Sequence, residues 1–228
     1  MQAYPPVLGE LATLDAVVAG ASIARYGDGE FKHCKNQRNV SQEHHPALSR
    51  RLREILVDSG ECLVGIPNIY SATPKADFWR GQTWAAEYLV NRPYVSAFIT
   101  RPDSAPWIDT PEYWQRVESL WVDQDVTLVR GSHKSLTPED LVGARAIVDV
   151  VCPKQHAFDE YDRIRARVLE ARPRRVLICL GPTATVLAAD LCACGLHAVD
   201  LGHIALFLRK HRLGAPMTLS KDDKGHDK

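Results

Sequence analysis

The chain has 228 residues, 45% hydrophobic and 25% charged, and its 28 Lys+Arg balance its 28 Asp+Glu. At about 100–200 residues per domain this is one large domain with a core of normal size. The charge balance supplies no global field for nucleic acid or an acidic membrane. No stretch approaches the roughly 18 apolar residues of a membrane span. Met1-Gln-Ala-Tyr-Pro-Pro6 lacks the basic segment and apolar run of a signal peptide. The six cysteines (Cys34, Cys62, Cys152, Cys179, Cys192, Cys194) are scattered. They read as reduced and mostly structural, which points to the cytoplasm. Cys192-Ala-Cys194 is too short a spacing for a zinc knuckle.

Helical and strand patterns alternate along the chain. Helices are predicted over 11–21, 45–58, 77–90, 111–121, 158–171 and 183–194, with a short one beginning at Thr137. Strands are predicted over 22–26, 62–66, 94–100, 126–129, 146–151, 175–180 and 197–201. The run Arg175 to Leu180 is continuously apolar after its arginine, as expected where both faces of a parallel sheet are covered. Such alternation defines an α/β fold, a Rossmann-like, mostly parallel sheet flanked by helices. The domain is expected over 1–212, with 213–228 a polar, disordered tail.

The first strand runs into Tyr26-Gly-Asp-Gly-Glu30. In an extended backbone Asp28 and Glu30 point to one side, and Gly27 and Gly29 leave room for a ligand. Two hard oxygen donors at one point suit Mg²⁺ or Mn²⁺ with a phosphate completing the shell. Asp-Gly between two strands is also a hairpin signal, so from these residues alone a turn and a metal site are equally good readings.

In open α/β sheets ligands bind beyond the carboxyl ends of the strands. Arg101, Arg130, Lys134 and Lys154 fall there, together with Gly181-Pro182-Thr183-Ala-Thr185 and Gly202-His203. The turn at Gly181 opens a helix whose free N–H groups, with a threonine hydroxyl, suit a phosphate. Its plain alternative is a capped turn. The cations suit a diphosphate, and His203 a phosphate contact or a base. Each is also an ordinary surface residue type. Five tryptophans at helical positions read as core. There is no Gly-x-Gly-x-x-Gly and no Gly-Lys-Ser/Thr, so neither a dinucleotide fingerprint nor a P-loop is present.

Taken in order, five stretches resemble the GT-D type of bacterial glycosyltransferase, first known as a domain of unknown function. They are Ser22-Ile-Ala-Arg25-Tyr-Gly27-Asp28-Gly29-Glu30, Leu128-Val-Arg130-Gly-Ser-His133, Cys152-Pro-Lys154-Gln-His-Ala-Phe-Asp-Glu-Tyr-Asp162, Leu180-Gly-Pro-Thr-Ala-Thr-Val-Leu-Ala-Ala-Asp190 and Ala198-Val-Asp-Leu-Gly-His203. The resemblance spans about residues 20–205. It implies a nucleotide-sugar donor, typically a UDP-sugar. It also implies a divalent metal near an Asp-x-Glu motif, here Asp28-Gly29-Glu30, and assembly of cell-surface or protein-linked glycans. Two departures stand out. Family members follow Gly-His with an acidic, aromatic stretch, where this chain reads Ile204-Ala-Leu-Phe-Leu-Arg-Lys210. They also tend to carry asparagine where this chain has His156.

The resulting expectation is a metal-dependent glycosyltransferase acting on a glycan or glycoprotein acceptor. The leaving diphosphate would be held by Asp28 and Glu30 through the metal, with Arg25, Arg101, Arg130 and Lys134 as further cations. A homodimer or other enzymes of a glycan pathway are its expected partners. The alternatives are a non-catalytic nucleotide-sugar-binding module, a metal-dependent phosphohydrolase, and, less well matched, a methyltransferase.

Overall fold

The computed structural model describes residues 4–131 and 135–218, the side chain of Thr83 apart. Eight strands form one parallel sheet: β1 (Val7–Leu8), β2 (Ile23–Arg25), β3 (Leu63–Ile66), β4 (Tyr94–Ser96), β5 (Asp125–Arg130), β6 (Ala146–Val151), β7 (Arg175–Cys179) and β8 (His197–Asp200). Their order is β1-β4-β3-β2-β8-β7-β5-β6, every pair parallel. The helices are α1 (Glu10–Val18), α2 (Asp28–Cys34), α3 (Pro46–Val57), α4 (Pro74–Arg80), α5 (Pro111–Glu118), α6 (Tyr161–Glu170), α7 (Pro182–Ala193) and α8 (Ile204–Arg212).

The central strands are apolar on both faces. Ile23, Ala24, Val64, Leu128, Leu177 and Val199 are all buried. This is the pattern of a sheet covered by helices on each side. α7 is the most deeply packed helix, with nine of its twelve residues buried, Val186 and Leu187 among them. No helix among the described residues is long and apolar enough to cross a membrane.

Three predicted elements change character. The 77–90 helix is two pieces, α4 and a 3₁₀ turn over Thr83–Tyr88, separated at Gly81 and Gln82. The 94–100 strand stops at Ser96. Its hydroxyl accepts the Phe98 N–H and starts a 3₁₀ turn over Ala97–Thr100. α2 stands where the sequence reads as an extended run or a hairpin. The short edge strand β1 and the helix α8 are additions. In the predicted tail, Met217 packs against the core, and residues 219–228 lie outside the described residues.

The strand order reverses between β2 and β8. Successive strands after β2 step outward to β3 and β4 on one side, and β5 to β8 fill the other. β2 pairs with β3 at three positions but with β8 only at Ile23↔Val199. The sheet therefore parts at the carboxyl ends of its two central strands, the place where a doubly wound fold binds ligands.

Candidate active site

A cleft of about 690 Å³ opens above that split, within the roughly 300–1,000 Å³ of small-molecule sites. Its floor is Arg25 and Asp200, the last residues of β2 and β8. The Arg25 backbone N–H donates to Asp200 Oδ2 (3.2 Å), and the Arg25 Nε donates to the Asp200 carbonyl (2.6 Å). These cross-bonds replace the ladder where the strands separate. The guanidinium also donates to the Ala97 carbonyl (2.9 Å), to the Thr100 hydroxyl and to Asp200 Oδ1 (3.4 Å). Arg25 is thus a buried cation already engaged by protein. Burial pushes the Asp200 carboxyl up from the usual carboxylate range, and Arg25 opposes that shift. Asp200 did not stand out as a site residue in the sequence; the signal was its place at the end of an apolar strand, before Gly202. Gly202 has φ +52°, and a Cβ there would meet the Arg25 guanidinium at 2.3 Å.

Asp28 and Glu30 both line the cleft, but not as an extended pair. They occupy the first turn of α2, where residues two apart point about 200° away from each other. Glu30 turns back and accepts the Gly27 N–H at 2.7 Å, the one side-chain bond that caps the helix start, since Gly27 has no side chain to return it. Asp28 pairs with Lys32 one turn on, at 2.6 Å. The extended, side-by-side geometry expected of the two carboxylates is therefore overturned, and the cause is the helix. Burial, then the nearby Asp200 carboxylate, push Glu30 up to about 7; its backbone hydrogen bonds and Arg25 offset part of this. Among the described residues no group of three or more His, Cys, Asp or Glu side chains is placed to hold a metal ion. Both carboxylates nevertheless border one cleft. Asp28 is tied only to an exposed lysine, and ionised Glu30 and Asp200 together carry more negative charge than Arg25 offsets.

Gly181, Pro182 and Thr183, at the start of α7, line the cleft beside the start of α2: a Cβ on Gly29 would lie 3.7 Å from the Pro182 ring. Gly181 adopts φ +56°, ψ −144°, a conformation open essentially to glycine alone, and Pro182 follows at the first helical position. Thr185 lies below this turn instead of in the cleft: its hydroxyl donates to the Arg25 carbonyl at 2.8 Å. It braces α7 against β2. Gly27 and Gly29 line the cleft, with the Asn39 amide packed over Gly29.

Of the predicted cations, Arg101 and Lys154 line the cleft. Arg101 is held by both oxygens of Asp103 (2.7 Å each) and lies over the Phe207 ring. Arg130 does not face the cleft: it forms a bidentate pair with Asp149 on β6 (2.9 and 2.8 Å). Its neighbour Gly131 lines the cleft instead. Lys134, with Ser132 and His133, lies outside the described residues. His203 is exposed at the start of α8 and lines the rim. Lys32, Lys75 and Arg209, which the sequence did not single out, also line the cleft. Trp79 is buried against Phe31 (ring centroids 5.8 Å apart) and forms part of the wall, while Trp114 and Trp121 are core.

A helix start, a split parallel sheet and a cleft edged by both lysines and carboxylates describe an α/β protein with a ligand cleft at the switch point of its sheet. The model of the glycosyltransferase GT-D fold family matches residues 23–226, and the chain belongs to that family. It is 35% identical over 213 residues to the "Probable glycosyl transferase Gly" of Streptococcus gordonii, covering 86% of this chain and 31% of that protein. It is 25% identical over 221 residues to "Glycosyltransferase GlyD" of Streptococcus pneumoniae, covering 89% of this chain and 27% of that one. The chain thus spans about a third or less of the curated relatives it matches. Among solved structures, the highly conserved domain of unknown function 1792, described as having a distinct glycosyltransferase fold, superposes with a TM-score of 0.81 at 32% identity. That match covers 92% of this chain and 82% of the other. A glycosyltransferase of Streptococcus sanguinis gives 0.80 at 30% identity, with 92% and 86% covered.

Proposed function

We propose that this chain is a cytoplasmic glycosyltransferase domain. In this reading it takes a sugar from a nucleoside diphosphate sugar, a UDP-sugar, to a glycan or glycoprotein acceptor, with Mn²⁺ or Mg²⁺ bound at Asp28 and Glu30. The observation that carries the reading is the meeting of two features at one cleft: the start of α7 at Gly181–Thr183 and the carboxylates of α2. It does not depend on a preformed chelate. Family membership supports the transfer chemistry; donor and metal are inferred from the cleft.

The chain's own residues would act as follows. The first N–H groups of α7 and the Lys154 ammonium hold the diphosphate oxygens. The Arg25–Asp200 bridge fixes the floor, so the donor is positioned against a rigid surface. His203 contacts the phosphate or takes the acceptor proton at the rim. The bound divalent cation would supply Lewis-acid stabilisation of the leaving diphosphate.

One observation favours the non-catalytic module. Leu206, Phe207 and Arg209 of α8 line the cleft where family members place acids, so the acceptor side lacks a carboxylate base on this helix. Turnover separates the two readings. Incubation with UDP-sugars, Mn²⁺ and candidate acceptors gives transfer for the enzyme, but binding without turnover for the module. Equal sugar release with and without acceptor would instead indicate a hydrolase.

A further inference from the structure

The loop between α2 and α3 borders two spaces, the cleft and a second pocket of about 500 Å³. Lys32, Asn39, Val40 and Gln155 line both. Hydrogen bonds fix the loop in place. Asn39 Oδ1 accepts the N–H groups of Ser41 (2.9 Å) and Gln42 (2.8 Å). The buried Gln42 side chain accepts the Phe158 N–H (3.0 Å) and donates to Asp159 (3.3 Å). His156 adds two more bonds. Its N–H donates to the Ser41 carbonyl (2.8 Å), and its Nδ1 accepts the Glu43 N–H (3.2 Å). A neutral ring whose Nδ1 accepts carries its proton on Nε2. That N–H and the exposed Gln155 amide have no protein partner among the described residues, and both side chains line the second pocket.

The charges of this pocket are already matched. Lys32 pairs with Asp28 (2.6 Å) and Arg38 with Glu43 (2.8 Å), so no lone cation draws a phosphate. No Phe, Tyr or Trp lines it, so a nucleobase has no ring to stack on. What remains is a set of uncharged donors and acceptors around a space continuous with the cleft, which matches the hydroxyls of a neutral sugar. We propose that this second pocket is a neutral-sugar subsite, with the ligand's hydroxyls bonded by the His156 Nε2–H and the Gln155 amide. The sugar comes from one of two sources, the hexose of the donor or a residue of the acceptor glycan; in naming these sources the inference rests on the proposed transfer function. The loop and His156 are fixed before binding, so the ligand bears little of the cost of ordering them.

The test is a ¹H–¹⁵N NMR titration of the full chain with Mg²⁺ and, in separate arms, UDP, the UDP-sugars of glucose, galactose and N-acetylglucosamine, the methyl glycosides of the same sugars added over UDP, and inorganic phosphate. UDP is expected to move the Gly181 and Thr183 signals and to leave the Glu43 N–H and the Gln155 side-chain amide in place. A sugar-bearing ligand is expected to move these last two, saturably. Movement with a UDP-sugar assigns the subsite to the donor, and movement with a methyl glycoside assigns it to the acceptor. His156→Asn keeps a residue that tolerates the φ of +57° found there. It should weaken the sugar response about fivefold, as for the loss of one neutral hydrogen bond, and leave the UDP response unchanged. The subsite is overturned if no sugar-bearing ligand moves the Glu43 and Gln155 signals, whether or not UDP moves Gly181, or if inorganic phosphate alone moves them. A sugar response there without any UDP response would keep the subsite and remove the nucleotide reading.

Discussion

Arg25 and Asp200 exchange backbone and side-chain hydrogen bonds across the one place where the central strands of the sheet part. Each residue uses its side chain to satisfy the other's main chain. The split that makes a cleft therefore leaves neither strand end unsatisfied.

Removing one member of this pair leaves a buried charge alone, which costs about 3–5 kcal/mol. Arg25→Leu is expected to lower the urea midpoint by the equivalent amount at pH 7.5. Asp200→Asn keeps the shape and should cost less. Equilibrium urea unfolding of both variants checks this, and a wild-type midpoint for Arg25→Leu would show that the pair does not stabilise the floor.

Gly181 occupies a backbone region closed to other residues. Gly181→Ala is expected to cost about 1–3 kcal/mol and to weaken UDP-sugar binding at least tenfold, because the turn that aims the α7 N–H groups must distort. Calorimetric titration against the wild type reads the affinity. Thr185→Val, below the turn, should disturb stability more than affinity, since it removes the brace to the Arg25 carbonyl.

Glu30 gives a pH signature with a definite sign. Its folded value is raised to about 7 from 4.5. The folded protein keeps a proton that the unfolded chain gives up. This contribution to stability is complete below 4.5 and is lost as pH rises through 7. Glu30→Gln keeps an acceptor for the Gly27 N–H and has no such loss. Without divalent cation, its melting temperature relative to wild type should therefore be higher at pH 8 than at pH 5. A difference that is the same at both pH values would mean Glu30 is ionised at an ordinary value.

Asp28 is half-exposed, and its pair with Lys32 lies at the surface, where such pairs contribute about 0–1 kcal/mol. Asp28→Asn should fold with nearly unchanged stability and lose Mn²⁺-dependent turnover of the donor. Full turnover would remove this carboxylate from metal binding.

The parallel sheet was legible because strands such as Arg175–Cys179 are apolar on both faces and punctuated by helix signals. Residues 25–30 of the motif at 22–30 line the cleft, but as a strand end and helix start, not as an extended carboxylate pair or a hairpin. The residues of Gly-Asp-Gly-Glu carry a hairpin signature, whereas the chain uses Glu30 as a helix cap, a choice fixed by Phe31 and Cys34 packing into the core. Arg130 looked like a rim cation because it ends a strand. Its partner Asp149 lies across β6, a pairing invisible without the register Leu128↔Asp149. Asp200 escaped notice for a related reason: a buried carboxylate becomes a floor residue only when Arg25, far away in sequence, is brought beside it.

The most direct test of the nucleotide-sugar reading is a thermal-shift titration of the wild-type chain with UDP-sugars, each with and without Mn²⁺, since a ligand bound only by the folded state raises the melting temperature by mass action. The expected result is a concentration-dependent rise for at least one UDP-sugar that grows with Mn²⁺ and is abolished in Asp28→Asn. No rise with any UDP-sugar under either condition, in a chain that melts cooperatively, would contradict it.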